Sequence, residues 1–200
     1  MSAHDQFSVS LHCHPDTPCT AVGSIKASVH WERGNYLTVT YTLEGAVEQL
    51  MIQPEGATRR GDDLWRHTCF ELFVGAKNDA EYYELNFSPS GEWAAYSFRD
   101  YRVGGPCDGD EVEPEITAQR DAASFELSAA IRLDGLSGIQ RDFYLWIGLS
   151  AVIEDVRGTL SYWALKHPSG KPDFHHPDNF ALEFEPKLLN GAPVDDTVKP

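Results

Sequence analysis

Cys69-Phe70-Glu71-Leu72-Phe73-Val74 and, after a short polar link, Tyr82-Tyr83-Glu84-Leu85-Asn86-Phe87-Ser88 decide the fold class. Successive side chains of a strand point to opposite faces, so Phe70, Leu72 and Val74 share one face and Tyr83, Leu85 and Phe87 share one in the next run. An antiparallel hairpin through Gly75–Ala80 joins the two apolar sets, with Leu72 beside Tyr83 and Phe70 beside Leu85. That face is core. The other face then carries His67, Cys69 and Glu71 from one strand and Glu84, Asn86 and Ser88 from the next, with Glu71 directly across from Glu84. Like charges so placed repel, so the pair needs a shared proton, an arginine, a cation or ligand hydroxyls.

Ser88-Pro89-Ser90-Gly91 is a turn by its Pro and Gly. Pairing Asn86 with Trp93 beyond it sends Trp93, Ala95, Ser97 and Arg99 to the polar face and Ala94, Tyr96 and Phe98 to the core. An aromatic platform among Glu71, Glu84, Asn86 and Arg99 has the make-up of a sugar site: an apolar C–H face lies on the ring, and hydroxyls meet planar polar groups.

Outward from this centre, further β-branched and aromatic runs recur, each closed by Gly, Pro, Asn or Asp. Strands are expected near Phe7–His12, Ser24–Trp31, Tyr36–Leu43, His67–Val74, Tyr82–Ser88, Glu92–Phe98, Glu115–Gln119, Ser124–Arg132, Phe143–Ile153, Leu160–Ala164 and Phe180–Glu185. The rhythm is that of an all-β antiparallel sandwich, jelly-roll or immunoglobulin-like. Arg33-Gly34-Asn35 reads as a hairpin turn, and Gly104-Gly105-Pro106 as a turn with no helix start behind it. Nothing divides residues 1–190, a single ligand-binding domain, and Gly191–Pro200 reads as a loose tail.

The 200 residues suffice to bury a core. Five Trp, eight Tyr and ten Phe exceed what one core needs. With 31 acidic residues against 16 basic ones, the net charge of −15 repels phosphate backbones and anionic membranes, so neither nucleic acid nor a membrane is an expected partner. Met1–His14 has no basic segment followed by an apolar run, and a cytoplasmic location is expected. Cys13, Cys19, Cys69 and Cys107 form no Cys-x-x-Cys pair and read as reduced thiols.

Three stretches carry the family likeness: Leu64-Trp65-Arg66-His67-Thr68-Cys69-Phe70-Glu71-Leu72-Phe73; Tyr82–Gly91 with Trp93 and Tyr101-Arg102; and Trp163-Ala164-Leu165-Lys166-His167-Pro168. Together they resemble the DOMON-like superfamily, in its branch similar to family-nine carbohydrate-binding modules, over roughly Phe7 to Phe184. The resemblance implies a β-sandwich that binds sugars or, in other branches, haem; it does not imply catalysis. The haem branches use axial Met with His or Lys, and Met51 lies outside the matching blocks.

The run Lys166–Phe180 is a loop by its prolines and glycine and holds His167, His175 and His176. It reads as loop-anchoring polar groups, a metal site or a lid bringing Lys166 and His167 over the polar face. His12-Cys13-His14 invites a metal reading that strand alternation opposes, and Asp108, Asp110, Glu111 and Glu113 read as solvated acid. The expectation is therefore non-catalytic binding of a carbohydrate or similar polar small molecule by His67, Glu71, Glu84, Asn86, Trp93, Arg99, Arg102, Lys166 and His167, with no cofactor and no assigned oligomeric state. A haem- or metal-binding domain, and a glycoside hydrolase using Glu71 and Glu84 as its carboxyl pair, are the alternatives.

Overall fold

The computed structural model describes residues 6–32, 36–107, 112–139 and 144–184. The turn Arg33-Gly34-Asn35, the tail Gly191–Pro200 and the acids Asp108, Asp110 and Glu111 lie outside them. The described residues form thirteen strands, joined in places by short 3-10 turns. They are β1 Gln6–Cys13, β2 Val22–Glu32, β3 Tyr36–Gly45, β4 Arg59–Arg60, β5 Cys69–Ala76, β6 Tyr82–Phe87, β7 Glu92–Asp100, β8 Val103–Pro106, β9 Glu115–Arg120, β10 Ser124–Arg132, β11 Leu145–Glu154, β12 Leu160–Ala164 and β13 Leu182–Phe184. Each run read as a strand is one, with shifted ends. The two strands the alternation does not signal are β4 and β8. The latter corrects the reading of Gly104-Gly105-Pro106 as a turn: these residues pair with Phe98, Ser97 and Tyr96.

The strands join in the order β4-β7-β6-β5-β11-β12-β1-β2-β3-β10-β9, with β8 on β7 and β13 on β11. Strand β1 turns the corner. Its residues through Leu11 pair with β2, and His12 and Cys13 then pair with Ala164 and Trp163 of β12. The sheet thus curls until its halves face one another. Across the gap Phe70 of β5 stacks on Phe125 of β10 with ring centres 5.9 Å apart, and the Tyr41 hydroxyl of β3 donates to the Glu71 carbonyl at 2.6 Å. The core is filled by one face of each strand: Ile25, Ala27 and Val29 of β2; Leu37, Val39 and Leu43 of β3; Leu127 and Ile131 of β10; Leu72, Leu85, Ile147 and Leu149 opposite. Alternation of buried and partly exposed residues along β3 leaves one face of that half to solvent. In β5 and β6 every residue is buried, which requires a second layer over their outer face.

Phe70, Leu72 and Val74 join Tyr83, Leu85 and Phe87 in the core as expected, but the register between them is two residues away. Glu71 pairs with Asn86, Leu72 with Leu85 and Phe73 with Glu84. The strands run on to Ala76 before the turn, where Asp79 N–H donates to the Ala76 carbonyl at 3.0 Å. Because the displacement is even, Glu71 and Glu84 keep the same face and become diagonal neighbours instead of a direct pair.

Between β6 and β7 the displacement is odd. Asn86 pairs with Ala94 and Phe87 with Trp93. The cause is the turn. Ser88 and Glu92 close a three-residue connection in which Gly91 donates back to Ser88 and takes φ of 86°, where a side chain would be strained. The expected pairing needed a connection one residue shorter. Trp93 and Ala95 therefore point into the core, while Ala94, Tyr96 and Phe98 join the outer face, reversing the expectation for this strand.

Candidate functional site

In-register pairing sets the outer face of this half in rows. One row runs Ala164, Ser150, Glu71, Asn86, Ala94 across β12, β11, β5, β6 and β7. The next runs Gly148, Phe73, Glu84, Tyr96, and the one beyond places Tyr82 beside Phe98. Directly paired residues share a face, so two carboxyls in adjacent rows stand among aromatic rings.

The segment following β12 covers one side of these rows. It crosses at Gly148, where an added Cβ would sit 3.0 Å from Asn179 Nδ2 and 3.2 Å from Phe73 Cβ, so glycine is what admits the crossing. Asn179 Nδ2 donates to the Phe174 carbonyl at 3.0 Å and fixes the loop. On the other side Arg102, at the β7–β8 turn with φ of 55°, bonds Asp173 Oδ1 at 2.6 Å, and Tyr101 also bonds Asp173. Between loop and sheet lies a cleft of about 370 Å³ with Glu71 and Glu84 in it. Its walls are the rings of Trp65, Tyr96 and Phe98 on one side and Tyr162, Phe174 and His175 on the other. Trp65, carried by the Leu64–Arg66 turn, meets Tyr96 edge-on at 5.7 Å. This size lies within the range of about 300–1,000 Å³ usual for small-molecule sites.

Arg102 N–H donates to Tyr82 Oη at 3.1 Å, and Tyr82 Oη shares a hydrogen bond with His175 Nδ1 at 2.9 Å. His175 Nε2 lies 3.5 Å from Glu84 Oε2. Burial, with Arg102 nearby, lowers the His175 pKa to about 4, against the pull of Asp173, and the ring is neutral at pH 7. Burial raises Glu84 to about 6, although the bond from Asn86 Nδ2 at 2.9 Å and the Arg102 charge oppose the rise. Burial raises Glu71 well above the usual carboxylate range; Glu84 adds to this and Arg102 opposes it. On Asp173 burial is outweighed by the bonds from Tyr101 and Arg102, and its carboxyl is held below its ordinary value. Both carboxyls of the cleft are thus harder to ionise than an ordinary glutamate, through burial above all.

Of the residues expected at the site, Glu71, Glu84 and Arg102 line the cleft and Asn86 lies buried beside the glutamates. The other five are placed elsewhere. Trp93 is 4% exposed in the core, with Arg60 over its ring at 5.4 Å. Arg99 borders a separate cleft beside Val103 and Gly104. His67 precedes β5 and pairs in the open with Glu154 at 2.7 Å. In the segment read as a lid, Lys166 is exposed, His167 donates from Nε2 to the His12 carbonyl at 2.7 Å, and Phe174 and His175, instead of Lys166 and His167, line the glutamates' cleft. The walls Tyr96 and Phe98 were assigned to the core by the odd register, whereas His175 was visible as part of a histidine-rich loop. Among the described residues no three His, Cys, Asp or Glu side chains are grouped to hold a metal. Met51 is 44% exposed and outside the cleft.

No protein-family model and no curated protein sequence matches the chain. Solved structures do. A "putative carbohydrate-binding protein" from Bacteroides uniformis ATCC 8492 superposes with a TM-score of 0.60 at 14% identity, over 88% of this chain and 84% of that one. At that identity the likeness shows a shared fold. A family-nine carbohydrate-binding module from Caldicellulosiruptor kristjanssonii superposes with TM-scores of 0.49 in complex with cellotriose and 0.46 with glucose. Identities are 13% and 12%; each match covers 77% of this chain, and 70% and 72% of the module.

Proposed function

We propose that the protein binds a carbohydrate, or a similar polar small molecule, in the cleft between the outer face of β5–β7 and the 165–180 segment, without transforming it. The observation that carries this reading is a pair of buried carboxyls in one cleft, among a ring of aromatic faces. Hydroxyls can donate to the oxygens of Glu71 and Glu84, and Tyr96 or Phe98 offers a surface to C–H groups. The likeness in fold to the Bacteroides carbohydrate-binding protein supports the ligand class, and the curled sheet suits a jelly-roll sandwich of the DOMON-like kind.

Isothermal titration against a glycan and metabolite panel tests the reading, with melting temperature as a second readout. A true ligand at a hundred times its Kd adds about 2.7 kcal/mol of stability. Tyr96→Ala is expected to abolish binding while the protein stays folded. A panel that leaves both readouts unmoved, or a ligand that Tyr96→Ala still binds fully, defeats it. Hydrolysis has one observation in its favour, two glutamate carboxyls in one cleft, the pair of groups that glycosidases use. Turnover of chromogenic glycosides that Glu71→Gln abolishes would establish it.

A further inference from the structure

Resting on the reading of this cleft as a ligand site, a further step concerns the charge of what fills it. Glu71 lies in register between Ser150 of β11 and Asn86 of β6, all on the outer face. Ser150 Oγ and Asn86 Oδ1 are buried without a hydrogen-bond partner, and both residues are 0% exposed. Asn86 gives one of its two amide N–H donors to Glu84.

Among the described residues, no unpaired positive charge lines the cleft. The charged or titratable groups facing the pair are Arg102 and Asp173, which are paired with each other, and His175, which is neutral; Cys69, Tyr82 and Tyr96 beside them are neutral as well. Carboxyls near one another disfavour each other's ionisation, and a cation between them relieves this. Around them stand the faces of Tyr96, Phe98 and Phe174, which attract cations through the ring quadrupole.

We infer that the ligand of this cleft carries a protonated primary amine, seated against Glu71 and Glu84. Its N–H groups donate to the carboxyl oxygens, its charge offsets that of the glutamate pair, and the aromatic walls complete its surroundings. Among carbohydrates this selects an amino sugar with its amine free over the neutral or N-acetylated form. An acetamide offers a single N–H and no charge.

The test is titration calorimetry of the full chain with D-glucosamine, D-glucose and N-acetyl-D-glucosamine, at a pH where the amine is protonated. D-glucosamine is expected to bind at least about tenfold more tightly than either neutral sugar, in keeping with the strength of charge-assisted hydrogen bonds. Glu71→Gln keeps the shape and removes the exchangeable charge, and is expected to erase that preference; its melting temperature checks that it folds. Equal binding of the three sugars, tighter binding of a neutral one, or a preference that survives Glu71→Gln overturns the inference and leaves the cleft a site for neutral sugars. Failure of all three sugars together with the wider panel instead overturns the reading of the cleft as a ligand site.

Discussion

Glu84→Gln should stabilise the protein at neutral and alkaline pH and lose that advantage in acid. Folding raises the Glu84 carboxyl from its ordinary 4.5 to about 6. A group whose pKa is higher in the folded state binds protons more tightly there, so its stabilising contribution is complete below the unfolded value and is lost as pH rises through the folded one. The window for Glu84 is therefore between 4.5 and about 6, and Glu71, raised further, carries the same trend to higher pH. The Glu84 shift corresponds to about 2 kcal/mol at pH well above 6. Glutamine imitates the protonated acid, still accepts from Asn86, and removes the charge that resists ionisation of Glu71. Urea unfolding of both proteins near pH 4 and near pH 8 should give a variant-minus-wild-type difference that grows by about 2 kcal/mol between the two, or about 4 to 8 °C in Tm for a chain of this size. A difference that does not change with pH, or that favours wild type in alkali, would refute the account of the cleft as two carboxyls under desolvation.

Trp93→Ala should cost about 3 to 5 kcal/mol in denaturant unfolding, since the ring is core, and leave ligand affinity in the folded fraction unchanged; lost affinity at full stability would return Trp93 to the site. Gly148→Ala should cost about 1 to 3 kcal/mol and speed amide exchange across residues 174–180, because its Cβ meets Asn179 and Phe73; unaltered exchange there would argue that the segment does not depend on this crossing. Tyr41→Phe removes the bond that spans the core to the Glu71 carbonyl, and about 1 to 2 kcal/mol of stability should go with it, read by urea unfolding. A neutral result would mean that this carbonyl finds its partner elsewhere.

The faces of β5 and β6 were legible because period-two alternation in two neighbouring runs has one reading that buries Phe70, Leu72, Tyr83 and Leu85 together. An error of two residues left both glutamates on the outer face, so the site's acidic centre survived the wrong register. On β7 the alternation of Trp93, Ala95 and Ser97 against Ala94, Tyr96 and Phe98 offers aromatic residues on both faces, and hydrophobicity alone does not choose between them. The choice fell to the turn, where Gly91 in a left-handed conformation adds one residue to the connection.

The sequence by itself determined an all-β chain, eleven of its thirteen described strands, and a polar outer face holding Glu71, Glu84 and Asn86, because these follow from side-chain alternation within a run. Tertiary structure alone decided which strands meet and what closes the cleft. The outer face of β5–β7 becomes enclosed when the segment after β12 crosses Gly148 and the β7–β8 turn clasps Asp173. That enclosure desolvates the glutamates and raises the affinity of both for a proton. These contacts join residues far apart in the chain, through backbone geometry and close approach that local periodicity does not encode.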